Sequence, residues 1–297
     1  MRFLTQTALL ATGLTLTALS LGVAPGHAQT AEGWDYAIDS FTDGHDSNGK
    51  VGAQSRFEFY AMAIQATADS VFVAINSNLN PISGATDSRA SNGVIKYGDF
   101  FFNFTGDNLT AANGDLFAVK FVENSDSGVT QLGLYGNVTG KNVAGQNAGF
   151  DHLNHHQNAV IKAGGSANMA DLGQTDAYFG DGVNKKHTLV NSIASGDFLG
   201  GINLLDAAAL STLNFGSFGA VGTHTFGFSF DRNLLPDGDF IAHILAECIN
   251  DGMAFVGKLP PRVEIPEDPE SVPEPASALG LLALGGLAIA TRRQRIA

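Results

Sequence analysis

Thr223-His224-Thr225-Phe226-Gly227-Phe228-Ser229-Phe230 puts Phe226, Phe228 and Phe230 on one side of an extended chain and Thr225, Gly227 and Ser229 on the other. Successive side chains of a strand point to opposite faces, so this period of two predicts a β-strand with one buried face. Outward from it, Trp34 to Ile38, Phe57 to Met62, Val71 to Ile75, Phe100 to Phe104 and Leu116 to Val122 are short aromatic or β-branched runs of the kind that strands favour. Clusters of Gly, Asn, Asp and Pro separate them, which is the chemistry of turns. Asp239 to Cys248 reads two ways. Phe240, Ile244, Leu245 and Cys248 fit one face of a helix, but the segment directly follows a strand and the turn Pro236-Asp237-Gly238, and we read it as the second strand of a hairpin. From about Gly149 to Leu213 the chain is richer in Ala, Asn, His and Lys and has no aromatic run, which predicts long loops with a few short helices. The expected fold is all-β: an antiparallel two-sheet sandwich or jelly roll with a few short helices.

The flanks of this domain carry a different message. Arg2 precedes a Leu-, Ala- and Thr-rich stretch from Ala8 to Leu21 that ends at Gly26-His27-Ala28, the charged, apolar and small-residue regions of a secretory signal peptide. Cleavage is expected between Ala28 and Gln29, with the secretion machinery as first partner. An uncleaved anchor fits less well, because threonine dilutes the apolar part and Gly13, Gly22 and Pro25 interrupt it. Residues 29–259 are then one large domain, 260–271 a proline- and acid-rich extended stalk, and 272–297 a separate C-terminal signal. With Arg2, Arg292, Arg293 and Arg295 taken from 16 basic residues and Glu274 from 29 acidic ones, the segment between carries a charge of about −16. Such a surface repels nucleic acid and anionic lipid and favours cations and neutral glycans. Cys248 is the single cysteine, so no internal disulfide exists and stability rests on packing; its plainer reading is a small buried apolar residue.

The C-terminal segment joins three parts. In Val272-Pro273-Glu274-Pro275 two prolines two apart remove backbone donors and disfavour helix before each, so the motif is extended and accessible. Ala276 to Ala290 is an apolar run of 15 residues, about 22 Å as a helix against a hydrocarbon core of about 30 Å. It is a marginal membrane helix that arginine snorkelling can rescue. Arg292, Arg293 and Arg295 follow and hold that end in the cytoplasm, leaving everything before it outside. This arrangement resembles the PEP-CTERM sorting signal of exosortase-dependent surface proteins. The resemblance implies that exosortase, a membrane-embedded transpeptidase-like enzyme, reads Pro273, Glu274 and Pro275, removes the helix and passes the protein to the envelope, with Arg292, Arg293 and Arg295 as cytoplasmic stop. These are the roles of a substrate. The body is also similar to one family of such surface proteins, best known from cyanobacteria, over Trp34 to Phe41, Val71 to Asn76, Tyr97 to Thr105, Asp115 to Phe121 and Phe240 to Gly252, the last including Glu247-Cys248-Ile249-Asn250-Asp251. That family brings no enzymatic activity with it.

Within the domain the chemical signals are sparse. Asp43-Gly44-His45-Asp46-Ser47-Asn48-Gly49 offers acidic and amide oxygens in a Gly-rich loop, suited to a hard cation such as Ca²⁺, although EF-hand spacing fails at Gly44 and Ser55 and a polar turn is the plainer reading. His152, His155 and His156 beside Asp151 would share a helix face, where Zn²⁺ or Cu²⁺ binding competes with a simple surface cluster. No glutamate stands between these histidines as in the zinc-protease motif, and there is no phosphate-cradling glycine loop and no G-x-S-x-G elbow. Asn103, Asn108 and Asn137 open glycosylation-type tripeptides that arise readily in an Asn- and Thr-rich chain. The favoured function is a non-catalytic exported surface protein, without cofactor or resident metal, sorted by exosortase and associated with exopolysaccharide or biofilm matrix. The alternative is a secreted carbohydrate-active enzyme or lectin on a sandwich scaffold, with a carboxylate pair drawn from Glu58, Glu123 and Glu247 acting on a glycosidic bond.

Overall fold

Fourteen strands and two short α-helices make up the domain in the structure, a computed structural model that describes residues 29–262. In chain order the strands are β1 (Gln29–Ala31), β2 (Trp34–Ile38), β3 (Phe59–Ala66), β4 (Ser70–Ser77), β5 (Ala85–Thr86), β6 (Val94–Ile95), β7 (Phe100–Asn103), β8 (Leu116–Lys120), β9 (Gly133–Lys141), β10 (Ser192–Gly200), β11 (Asn203–Leu204), β12 (His224–Asp231), β13 (Gly238–Leu245) and β14 (Gly252–Leu259). The helices are α1 (Leu153–Lys162) and α2 (Ala207–Leu210). One sheet has the order β1-β2-β3-β4-β12-β11 and the other β10-β9-β8-β7-β13-β14, while β5 and β6 form a small ribbon. Every ladder is antiparallel. The sandwich is therefore as expected, but each sheet runs largely in sequence order, as a meander does, without the alternation of a jelly roll.

The phenylalanine face of β12 supplies the contact between sheets. Phe228 and Phe230 are buried, and their rings meet Phe100 and Phe102 of the opposite sheet at 5.9 and 6.0 Å, while Phe121 stacks on Phe226 and Phe228 at 5.6 and 5.2 Å. Ring pairs of this kind contribute about 0.5–1.5 kcal/mol each beyond area burial. The outer faces are covered too. Phe101, between two inward phenylalanines, points into a second cluster with Leu153 of α1, Tyr178, Phe179 and Ile249, and Trp34, Tyr36 and Tyr60 pack outside the first sheet against Phe215. Strands buried on both faces read as continuous apolar runs, which is why Phe100 to Phe102 does not alternate.

Two segments differ from expectation. Of Asp239 to Cys248 the part to Leu245 is a strand, β13, and the rest turns away; its partners are β14 and β7, not β12, which lies in the other sheet. Phe240 and Ile244 face the sandwich core while Ile241 and Leu245 face the second cluster, so β13 is a two-faced central strand that an edge hairpin could not bury. Buried Arg232 holds the crossing between sheets, donating to the Leu235 carbonyl and to Asp237. The stretch from Gly149 to Leu213 contains α1 and α2 as expected, and also β10 and β11. β10 is a bulged strand with three register shifts against β9, rich in Gly and Ser and largely without a buried face, so it lacks any periodic signal.

The proposed signal peptide through Ala28, the stalk beyond Arg262 and the segment 272–297 lie outside the described residues; Gln29 opens β1. Among the described residues no helix is long and apolar enough to cross a membrane.

Candidate functional site

Three strand ends bring four carboxylates together at one end of the sandwich. Asp39 is the residue after β2, Asp43 lies in the loop that follows, Glu58 immediately precedes β3, and Asp251 immediately precedes β14. Asp39 is 5 % exposed, Asp43 and Glu58 0 % and Asp251 1 %. Asp39, Asp43 and Asp251 each present a carboxylate oxygen within 4.8 Å of the other two, the one such group of three His, Cys, Asp or Glu ligands among the described residues.

Backbone amides fix three of the carboxylates by one edge and Asp251 by both. Ala170 N–H donates to Asp39 Oδ1 (2.9 Å), Asn168 N–H to Asp43 Oδ2 (2.9 Å) and Gly44 N–H to Glu58 Oε2 (2.8 Å). Asp251 accepts at both oxygens, from Phe59 N–H (2.7 Å) and Gly252 N–H (2.8 Å). Asp39 Oδ2, Asp43 Oδ1 and Glu58 Oε1 are buried and accept from no group. Gly44 permits the close approach: a Cβ there would sit 2.3 Å from Glu58 Cα. The turn that carries Asp251 holds Ile249 at φ 55°, a left-handed conformation that a β-branched residue adopts only under strain.

No ion pair among the described residues involves any of the four. Burial therefore pushes every carboxyl up, Asp43 to about 8, and neighbouring carboxylates add to it for Glu58, raised to about 9, and for Asp39 and Asp251, raised well above the usual range. Beside them His156 is fully buried, its Nε2 between the carbonyls of Asp43 (3.0 Å) and Asn250 (3.1 Å) and its Nδ1 3.0 Å from Gln174 Nε2. Both carbonyls can only accept, so Nε2 carries the proton, and burial holds the ring neutral with its pKa lowered to about 4.

Few of the residues singled out in the sequence meet here. From the loop Asp43 to Gly49 only Asp43 contributes a carboxylate; Asp46 turns to Arg56 (2.8 Å), which lowers its pKa. Of the three histidines, His155 is exposed and His152 caps α1 by accepting from His155 N–H, while His156 points inward with both ring nitrogens engaged, so the shared face expected for them does not form. The three glutamates considered as a catalytic pair, Glu58, Glu123 and Glu247, differ in burial. Glu58 belongs to the cluster, Glu247 is buried under the Lys96 and Asp126 amides, and Glu123 is exposed. The charges of Asp126 and Asp99 raise the Glu247 carboxyl, and that of Asp43 raises Glu58. Cys248 is buried and burial raises its thiol pKa. Asn103 is enclosed, bonded to Thr105 and the Asp107 carbonyl, whereas Asn108 and Asn137 are exposed. Asp39 and Asp251 went unread as site residues because their partners are distant in sequence. Their only local sign is an aspartate at the very end of a strand.

No curated protein and no solved structure matches the chain. A family model, the PEP-CTERM protein-sorting motif, matches residues 271–295, and it spans Val272, Pro273, Glu274, Pro275, Arg292, Arg293 and Arg295. The motif makes exosortase the processing partner and the protein an exported one, held transiently in the membrane before it reaches the cell surface. Residues 271–295 thus carry the PEP-CTERM protein-sorting motif.

Proposed function

We propose that this is a non-catalytic surface protein, whose sandwich domain is displayed after exosortase removes the C-terminal helix and which associates with exopolysaccharide or biofilm matrix. The observation that carries the reading is the sorting motif at residues 271–295. In this scheme Pro273, Glu274 and Pro275 are the element recognised, and Arg292, Arg293 and Arg295 stop the precursor in the membrane. Two features of the domain support a binding role. The acidic mature segment favours neutral glycans over anionic polymers. A cleft lined by His45, Asp87, Arg89, Asn147, Phe150 and His155 combines aromatic rings with hydrogen-bonding groups, the composition that suits sugar hydroxyls on an apolar ring face. Glu58 and Glu247 are each fully buried, which speaks against the glycosidase alternative, since that chemistry needs two carboxyls about 5–10 Å apart and open to one cleft.

Mass spectrometry of both termini, on protein from envelope and medium of cells with and without exosortase, tests the reading. Loss of everything beyond the Pro-Glu-Pro region only when exosortase is present is the expected result. A C-terminus intact through Arg295 in both strains would sink it.

A further inference from the structure

We infer that Asp39, Asp43, Glu58 and Asp251 bind a calcium ion that ties the two sheets together at this end of the sandwich. The donor set is all oxygen. A hard cation with bonds of about 2.3–2.6 Å gathers ligand oxygens at mutual distances of about 3–5 Å, and the three aspartates already hold theirs within 4.8 Å.

The hydrogen bonds supply a separate indication. Glu58 stands outside that group of three, comes from another segment and is 0 % exposed, yet Oε1 accepts from nothing while Oε2 is fixed by Gly44 N–H. Asp39 and Asp43 repeat the pattern, with one oxygen anchored by a backbone amide and the other without a donor. A buried carboxylate oxygen without a partner is costly, and three in one place with no lysine or arginine among their partners are relieved by a cation or by shared protons. On Asp39, Asp43 and Glu58 the backbone anchors leave the free edge for a cation, and Asp251, bonded at both oxygens, offers its remaining lone pairs.

The chemistry selects among cations. Zinc and copper favour nitrogen and sulfur, but His156 has both ring nitrogens engaged, and no Cys or other His ligand joins the group. Magnesium demands near-octahedral geometry and keeps several waters, whereas calcium accepts an irregular, carboxylate-rich cage. Because Asp39 and Glu58 flank strands of the first sheet and Asp251 opens β14 of the second, an ion here links chain positions 212 residues apart. The inference is independent of the sorting motif and of any glycan.

The test uses the exported protein purified from the cell surface, stripped with EDTA and titrated with CaCl₂ calorimetrically, with thermal melts in parallel and MgCl₂ as the competing arm. One ion per chain is expected, with a Tm higher by about 5–10 °C at calcium a hundredfold above Kd. Magnesium should bind at least tenfold more weakly. Asp43→Asn, which keeps the oxygen facing Asn168 N–H, should weaken calcium at least tenfold, and Glu123→Gln should leave it unchanged. A folded, stripped protein that takes up no calcium and melts at the same temperature in calcium and EDTA would overturn the proposal and assign the cluster to shared protons. So would a folded Asp43→Asn protein that binds as tightly as the parent. If that variant does not fold, terbium luminescence of the unaltered protein, sensitised by Tyr60, replaces it: Tyr60 feels the charges of Glu58 and Asp251, and absence of a signal displaced by calcium refutes the site.

Discussion

Two buried glutamates beside strands of different sheets have opposite surroundings. Glu247, after β13, accepts from Lys96 N–H at Oε2 (2.7 Å) and from Asp126 N–H at Oε1 (2.6 Å), while its own N–H donates to the Lys96 carbonyl (2.9 Å). Glu58, before β3, has one oxygen bonded and one bare, and it faces other carboxylates. Both are 0 % exposed, and burial raises both, Glu247 to about 7 and Glu58 to about 9. Burial alone therefore does not separate a structural carboxylate from a ligand. The count of bonded oxygens does: Glu247 closes two loops onto β13 and needs nothing more, and Glu58 is complete only with a partner that the chain does not provide.

The sharpest way to break this contrast is Glu247→Ala. It strips the acceptor from two half-buried amides, so unfolding free energy should fall by about 3 kcal/mol, equally in calcium and in EDTA, as read by urea titration. A cost that depended on calcium would mean that the two corners are one system. Glu58→Gln should behave in the opposite manner. In EDTA its stability should stay close to that of the parent, because the amide keeps the shape without the charge, and in calcium it should fall by about 2 kcal/mol as the ion loses a ligand. An equal loss in both conditions would make Glu58 structural like Glu247.

The smallest effect concerns His243, a satisfied buried group of the same class as Glu247. Its Nε2 lies 3.1 Å from the Val190 carbonyl, its Nδ1 2.8 Å from Tyr178 Oη, and its ring stacks on Phe101 at 5.0 Å. Burial lowers its pKa to about 4. The unfolded chain then binds the proton more tightly, so this contribution is present above about pH 6.5 and is lost as pH falls toward 4. His243→Gln lacks it. The stability gap between parent and variant should narrow by about 1.4 kcal/mol between pH 7.5 and 5.5, and a constant gap would show that the buried ring does not control acid sensitivity here.

The sheets were legible where local pattern and burial agree. Phe226, Phe228 and Phe230 alternate because only one side of β12 meets the facing sheet, and Val71 to Ile75 is apolar because β4 lies between β3 and β12. β10 was not legible, since its pairing with β9 comes from backbone amides that glycine and serine satisfy as well as valine does. Nor was the partner of β13: sequence adjacency favoured β12, while two buried faces demanded the middle of the other sheet. The candidate site was half visible. Asp43 stood in a recognisable loop, but its companions Asp39, Glu58 and Asp251 reach it only through the folded strands, and the neighbouring Asp46 that sequence proximity nominated is neutralised by Arg56. The sorting motif was readable in full because it is a linear signal addressed to another protein, and three-dimensional context adds nothing to its reading.

The position of β13 has a consequence in time. It is inserted between β7 and β14, and Asp251 at its far turn bonds Phe59 N–H across 192 residues. A chain emerging from its N-terminus therefore holds β7, with its three successive phenylalanines, as an open sheet edge until residues 238–259 appear. Such an edge is a template for pairing with other chains, and contacts this far apart form slowly. The domain can close only after nearly all of it has been delivered, so its vulnerable period coincides with its passage to the cell exterior, and the last hairpin acts as the latch that ends it.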